Sequence, residues 1–282
     1  MTAPLLRIRD LSIGYAGHVQ AVRNANLEIR LGEAVGLVGE SGSGKSTLAA
    51  AIPGLLPESS HIDAGDIAFK GAIITGSEAR QRALRGDEIA MVFQDPMTAF
   101  NPVLTIGDQL VDFQSRVPGG VHEKRRRAVA MLARVGIPDP DMRARSYPHE
   151  LSGGMRQRAA IAAALLVNPS LLIADEPTTA LDVTMEAQII HLFRELRSDF
   201  GGGILIVTHH LGVVAELCDR VYVMYRGEVV EEGAVDDIFH TPRHPYTRAL
   251  LACDPARLRE PTPYLPVISD SERAFFTEER RR

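Results

Sequence analysis

The chain has 282 residues, 45% of them hydrophobic, which at about 150 residues per folding unit allows roughly two units and a sizeable core. Its 31 Lys and Arg against 36 Asp and Glu leave a formal charge of −5, which excludes a strong overall field toward nucleic acid or anionic lipid. Six Tyr, nine Phe and no Trp argue against a stacking platform for single strands, and two cysteines are too few for a disulfide framework or a thiolate metal site.

The N-terminus, Pro4-Leu5-Leu6 followed by Arg7, Arg9 and Asp10, lacks the apolar stretch and cleavage site of a signal peptide. Residues 5–32 read as β-rich with turns, and Val35–Val38 is a short apolar run suited to a strand buried on both faces. A helix is expected from Lys45 to Ile52, stopping before Pro53-Gly54. Further strand-like runs stand at Ile89–Phe93, Leu171–Ala174, Ile204–Val207 and Val221–Tyr225. Residues 96–160 are helical and charge-rich in pattern, and the apolar run Ala159–Val167 is half of the ~20 residues a bilayer-crossing helix needs. A helix with Val183, Ala187, Ile190, Phe193 and Leu196 on one face ends before Gly201-Gly202-Gly203. After Gly233 the chain turns Pro-rich, which predicts a loosely packed extension with a solvated end at Glu278–Arg282. Strands alternating with helices predict an α/β domain with a largely parallel sheet.

Gly39-Glu40-Ser41-Gly42-Ser43-Gly44-Lys45-Ser46 follows G-x-x-x-x-G-K-S/T, entered by a buried strand and left by a helix. That context lets Gly39, Gly42 and Gly44 turn successive N–H groups of the Ser41–Thr47 loop toward phosphate oxygens. Lys45 is expected to reach the β- and γ-phosphates and Ser46 to ligate Mg²⁺. Leu171–Ala174 ends in Asp175 and Glu176, read as the Mg²⁺ ligand and the general base that deprotonates the attacking water. Leu151-Ser152-Gly153-Gly154-Met155 precedes the apolar helix, with Ser152 as N-cap and two glycines leaving N–H groups open to an anion. Two phosphate-reading helix ends in one chain suggest a dimer, in which the second caps nucleotide held by another subunit.

The series of motifs is similar to the nucleotide-binding subunit of ATP-binding-cassette (ABC) transporters over about residues 5–250. The resemblance implies a P-loop NTPase core with an antiparallel β-subdomain at 1–95 and 161–233. It also implies an inserted helical signature subdomain at 96–160 and a C-terminal extension at 234–282. It implies that Tyr15 stacks on adenine, Gln94 senses Mg²⁺ and the attacking water, and His209 contacts the γ-phosphate. The signature residues Ser152, Gly153 and Gly154, with Asp182 of the Thr179–Asp182 segment, would meet the opposite subunit and its nucleotide. Two positions depart from the pattern: Met155 stands where Gln is usual, and His210 where Asp commonly follows the switch histidine, which predicts altered local hydrogen bonding.

Ser146–Arg158, Ala174–Thr184, Thr208–Ala215 and Thr241–Leu251 resemble the peptide/nickel import subfamily, and Met155 with Pro177-Thr178-Thr179 resembles its D-type ATPase. The implied partners are a second, different ATP-binding subunit, two membrane-spanning permease subunits and an extracytoplasmic solute-binding protein, with this chain on the cytoplasmic face of the membrane. ATP and Mg²⁺ are the implied cofactors. No Cys follows Cys253, so no iron–sulfur cluster is expected. His240 and His244 are separated by Pro242 and read as non-metal, and Lys124–Arg127 reads as a solvated helix face rather than a nucleic-acid site. The rival function is a non-transport ABC ATPase acting on ribosomes or DNA. The single cassette, with neither a charged inter-cassette linker nor a coiled-coil insertion, speaks against it.

Overall fold

A computed structural model describes residues 3–17, 19–95, 99–179 and 181–253. The Glu278–Arg282 end and most of the Pro-rich tail lie outside the described residues. Strands β1 (Leu6–Tyr15) and β2 (Val19–Ile29) come first, followed by β3 (Ala34–Val38) and helix α1 (Lys45–Ala51). Next come β4 (Ser60–Phe69), β5 (Ala72–Ile73), α2 (Glu78–Leu84) and β6 (Ile89–Val92). Four helices then run in succession: α3 (Ile106–Phe113), α4 (Val121–Arg134), α5 (Pro140–Arg143) and α6 (Gly153–Leu166). The chain returns to alternation with β7 (Leu171–Asp175), α7 (Val183–Asp199), β8 (Gly203–Thr208) and α8 (Leu211–Leu217). It closes with β9 (Arg220–Tyr225), β10 (Glu228–Ala234), α9 (Val235–His240) and α10 (Pro245–Ala252).

The strands form two sheets. The first, in the order β2-β1-β4-β5, is antiparallel. The second runs β10-β9-β3-β8-β7-β6, parallel from β9 to β6 with β10 antiparallel at its edge. Every residue of β3, β7 and β8 is buried, as expected where both faces of a parallel sheet are covered. Alternation divides them: Val35, Leu37, Ile173, Leu205 and Val207 pack toward α1 and the antiparallel sheet. Ala34, Val38, Ala174, Ile204 and Ile206 face the opposite way, into a core shared with α6, α7 and α8. Bringing five parallel strands together places the C-terminal ends of β3, β7 and β8 side by side, where ligands of open α/β sheets bind.

Two expectations are corrected. The buried stripe of α7 is Ile189, Leu192, Phe193 and Leu196, while Val183 is 82% exposed and Ala187 is also in solvent. The sequence offers both i, i+3, i+7-type stripes, and the one with the larger continuous apolar surface is buried. The extension is also not loose as far as residue 253. Tyr246 is fully buried, Thr247 and Leu251 are buried, and the Tyr225 and Tyr246 rings lie 4.2 Å apart. Pro245, at the first position of α10, starts this helix rather than disrupting it, because its missing N–H would have no helical acceptor there.

His244 caps α10, its Nδ1 accepting from the Tyr246 N–H, and His240 Nδ1 lies 2.9 Å from the Asp236 carbonyl of its own helix. The run Lys124–Arg127 lies on α4, where Arg125 pairs with Asp108 and Arg127 with Glu123. Among the described residues no helix is long and apolar enough to cross a membrane.

Candidate nucleotide site

Between β3 and α1 the loop 39–44 wraps one end of a cavity of about 710 Å³, within the ~300–1,000 Å³ of small-molecule sites. Gly39, Glu40, Ser41, Gly42, Gly44, Lys45, Ser46 and Thr47 line it, together with Gln94, Glu176 and His209. Gly44 caps α1 with φ +102, and a Cβ there would stand 2.3 Å from the Ala21 carbonyl oxygen, so the turn into the helix requires glycine. The turn aims the first-turn N–H groups of α1, which lack intrahelical acceptors, into the cavity.

Lys45 is buried, and its ammonium donates to the carbonyls of Gly39 at 2.8 Å and Glu40 at 2.9 Å. An ammonium has three donors, so one is left for an anion in the cavity. Burial pulls the Lys45 pKa below its ordinary value, while the carboxylates of Glu176, Asp175 and Glu40 oppose that shift. Asp175 ends β7 and is pushed upward by burial; the Ser46 hydroxyl, which donates to its Oδ1 at 3.1 Å, opposes the rise. Nearby Glu176 adds to it and Lys45 opposes it. The hydroxyl and carboxylate together form the hard oxygen donor set that suits Mg²⁺.

Glu176 sits one residue past the strand with φ +49, an uncommon backbone state for a residue with a side chain. Its N–H donates to the Val207 carbonyl, tying it to the end of β8. The carboxylate is held from two sides: Thr179 Oγ1 donates to Oε2 at 2.9 Å, and His209 Nδ1 lies 2.9 Å from Oε1. A buried carboxylate fixed in this way, opening onto a phosphate-binding loop, can take a proton from a water placed between them. His210 bonds Glu186 of α7 at 2.8 Å and meets the His209 ring edge-on at 4.5 Å. This bond ties the segment after β8 to α7.

The structure does not bring every expected residue to this cavity. Tyr15 lies at the end of β1 with its hydroxyl 3.1 Å from Thr47 Oγ1, but its ring does not line the cavity. Ser152, Gly153, Gly154 and Asp182 do not line it either. Ser152 caps α6 and Asp182 caps α7, each side chain accepting from an N–H three residues on. The two caps are neighbours, because a Cβ on Gly154 would stand 1.7 Å from Met185 Cε in the first turn of α7. Within the segment Thr179–Asp182, Ala180 lies outside the described residues.

Several residues had no assigned role in the sequence reading. Thr179 holds the Glu176 carboxylate, and its position three residues on, in a turn, was the available signal. Glu40, Ala21 and Leu250 also line the cavity. The Glu40 N–H donates to the Tyr246 hydroxyl across 206 residues of sequence, a contact that no local pattern announces.

A family profile described as "ABC transporter" matches residues 22–179, and one described as "Oligopeptide/dipeptide transporter, C-terminal region" matches residues 230–275. The chain is 49% identical over 262 residues to the oligopeptide transport ATP-binding protein OppD of Bacillus subtilis, covering 89% of this chain and 72% of that protein. It is 47% identical over 262 residues to the dipeptide transport ATP-binding protein DppD of the same organism, covering 89% and 77%. Among solved structures, the dimeric ATP-binding cassette MJ0796 in a post-hydrolysis state bound to ADP and Pi superposes with a TM-score of 0.72 at 30% identity. That match covers 82% of this chain and 98% of that one.

Proposed function

The chain belongs to the ABC transporter family as an ATP-binding ATPase, and from that premise we propose that it energises the import of peptides or a related small solute. The observation that carries the ATPase chemistry is the Glu176 carboxylate, clamped by Thr179 and His209 at the mouth of the phosphate loop. The match of residues 230–275 to a peptide-transporter C-terminal region, and the names of the relatives, support peptide import. We read 1–95 with 161–233 as the ATP-binding core, 96–160 as the helical signature part and 234–282 as the importer-type extension.

In this reading the N–H groups of Gly42 to Thr47 and the remaining donor of Lys45 bind the phosphates, and the Tyr15 ring is the adenine platform. Ser46 and Asp175 would hold Mg²⁺, with Gln94 reaching the same ion from the cavity wall. Bound there, the ion would neutralise charge on the β- and γ-phosphate oxygens. Glu176 accepts the proton of the attacking water, and Thr179 keeps its carboxylate turned toward that water. His209, held through Nδ1 by Glu176, would contact the γ-phosphate.

The signature residues Ser152, Gly153 and Gly154 lie outside this chain's own cavity. They would cap nucleotide held by a second, different ATP-binding subunit, which Asp182 also meets. Closure of that pair would be passed to two membrane-spanning permeases. An apolar groove of about 280 Å³, lined by Phe93, Phe100, Phe113 and Ala163 between the sheet edge and α6, supports a docking place for a permease helix. An extracytoplasmic solute-binding protein would deliver the solute, with this chain on the cytoplasmic membrane face. Purifying the tagged chain from gently solubilised membranes tests the assembly. Two polytopic subunits and a second ATPase should accompany it, whereas recovery only with ribosomes or DNA-processing proteins would overturn importer assignment.

A further inference from the structure

Helix α10 reaches the phosphate loop from outside the ATPase core. The peptide group joining Gly39 to Glu40 is held at both ends: its carbonyl accepts from Lys45 Nζ at 2.8 Å, and its N–H donates to Tyr246 Oη at 3.0 Å. Tyr246 has no freedom to leave. It is fully buried, its ring packs 4.2 Å from that of Tyr225, and the start of α10 is tied down by Glu231, whose carboxylate accepts from the N–H groups of Arg243 and His244. One turn on, Leu250 forms part of the cavity wall.

We propose that Tyr246 is a positioning residue for nucleotide binding: its hydroxyl orients the Gly39–Glu40 peptide, whose carbonyl in turn aims Lys45 into the cavity. Peptide groups rotate as rigid planes, so a fixed N–H fixes the carbonyl opposite it. Without the hydroxyl, the plane can turn and Lys45 loses a set acceptor. The phosphate loop then spends part of its time in arrangements that do not bind, and apparent affinity falls by the competent fraction. The C-terminal segment is thereby a working part of the ATP site. This rests on the cavity being that site.

The test is Tyr246→Phe in the full-length chain, which keeps the ring and removes the hydroxyl that accepts from the Glu40 N–H. One such hydrogen bond corresponds to about a fivefold change in equilibrium. ATP affinity should weaken and KM rise by about that factor, with kcat held within about twofold because Glu176 and His209 are untouched. Thr247→Val, an equally buried change one residue along, should leave KM unaltered, which separates orientation of the loop from packing of the helix. An unchanged KM in Tyr246→Phe, or an equal rise in Thr247→Val, overturns the inference while leaving the site intact. Wild-type chain that binds no ATP removes both the site and the inference. Should Tyr246→Phe not fold, hydrogen exchange in the wild-type chain reads the same bond. The Glu40 amide should be protected, and exchange at the rate of an open loop refutes its anchoring.

Discussion

Replacing Glu176 by Gln isolates one atom's chemistry. The two side chains match in shape, and the amide oxygen still accepts from Thr179 Oγ1, which stands 2.9 Å from the carboxylate. The side chain is buried and the exchange introduces no cavity or clash, so the fold should be retained. ATP binding should be retained or tightened, because a negative charge facing the phosphates is removed while Lys45 and the loop N–H groups remain. The base, however, is gone. General-base catalysis contributes about 10²–10⁴-fold, equivalent to about 3–5 kcal/mol of barrier. Phosphate release under single-turnover conditions should fall by that factor while nucleotide titration shows affinity retained or tightened. A graded companion is Thr179→Val, which removes a bond to a charged oxygen worth about 1.5–3 kcal/mol; it should slow kcat by about tenfold or more with little change in KM. Unchanged turnover in Glu176→Gln would remove this residue as the base.

Other residues give independent tests. Gly154→Ala places a methyl against the mobile end of Met185, and helix propensity gains up to about 1 kcal/mol. Thermal stability should therefore hardly move while ATPase activity of the assembled transporter drops, and a variant that is fully active would refute the signature's role. Glu88 lies below its ordinary 4.5 because it accepts from Lys70 and Ser170. A depressed carboxylate stabilises fully above its unfolded value and loses that contribution as pH falls through the folded one. Glu88→Gln should thus cost less than about 1 kcal/mol at pH 7, the pair being half-exposed, and nothing under strongly acidic conditions. Equal losses under both conditions, measured by denaturant titration, would contradict the assignment. Cys218 is buried and its thiol is pushed up by desolvation. Alkylation near pH 8 should modify it only after unfolding, and rapid labelling at Cys218 itself in the native chain, mapped apart from the half-buried Cys253, would show that its surroundings are misread.

Local order was legible in the sequence where local rules govern it. The phosphate loop, the strand ending in Asp175 and the Ser152 cap each combine a periodic segment with a punctuating residue, and each lies where those patterns place it. The face of α7 was misread because two apolar stripes overlap there and only tertiary contact chooses between them. Proline content made the segment after Gly233 read as loose. Pro245 opens a helix, and the burial of Tyr246 depends on Tyr225 and Glu40, residues distant in sequence. The link from His210 to Glu186 was hidden for the same reason: it spans two elements, and neither advertises the other.

The measurement that bears most directly on the account is ATP-driven peptide uptake in vesicles carrying the assembled transporter, comparing the wild-type chain with Glu176→Gln. Accumulation of labelled peptide with the wild-type chain, and its loss in the variant despite retained ATP binding, is the predicted result. Uptake that proceeds equally with Glu176→Gln, or a complete wild-type assembly that hydrolyses ATP without moving any peptide, would contradict the account.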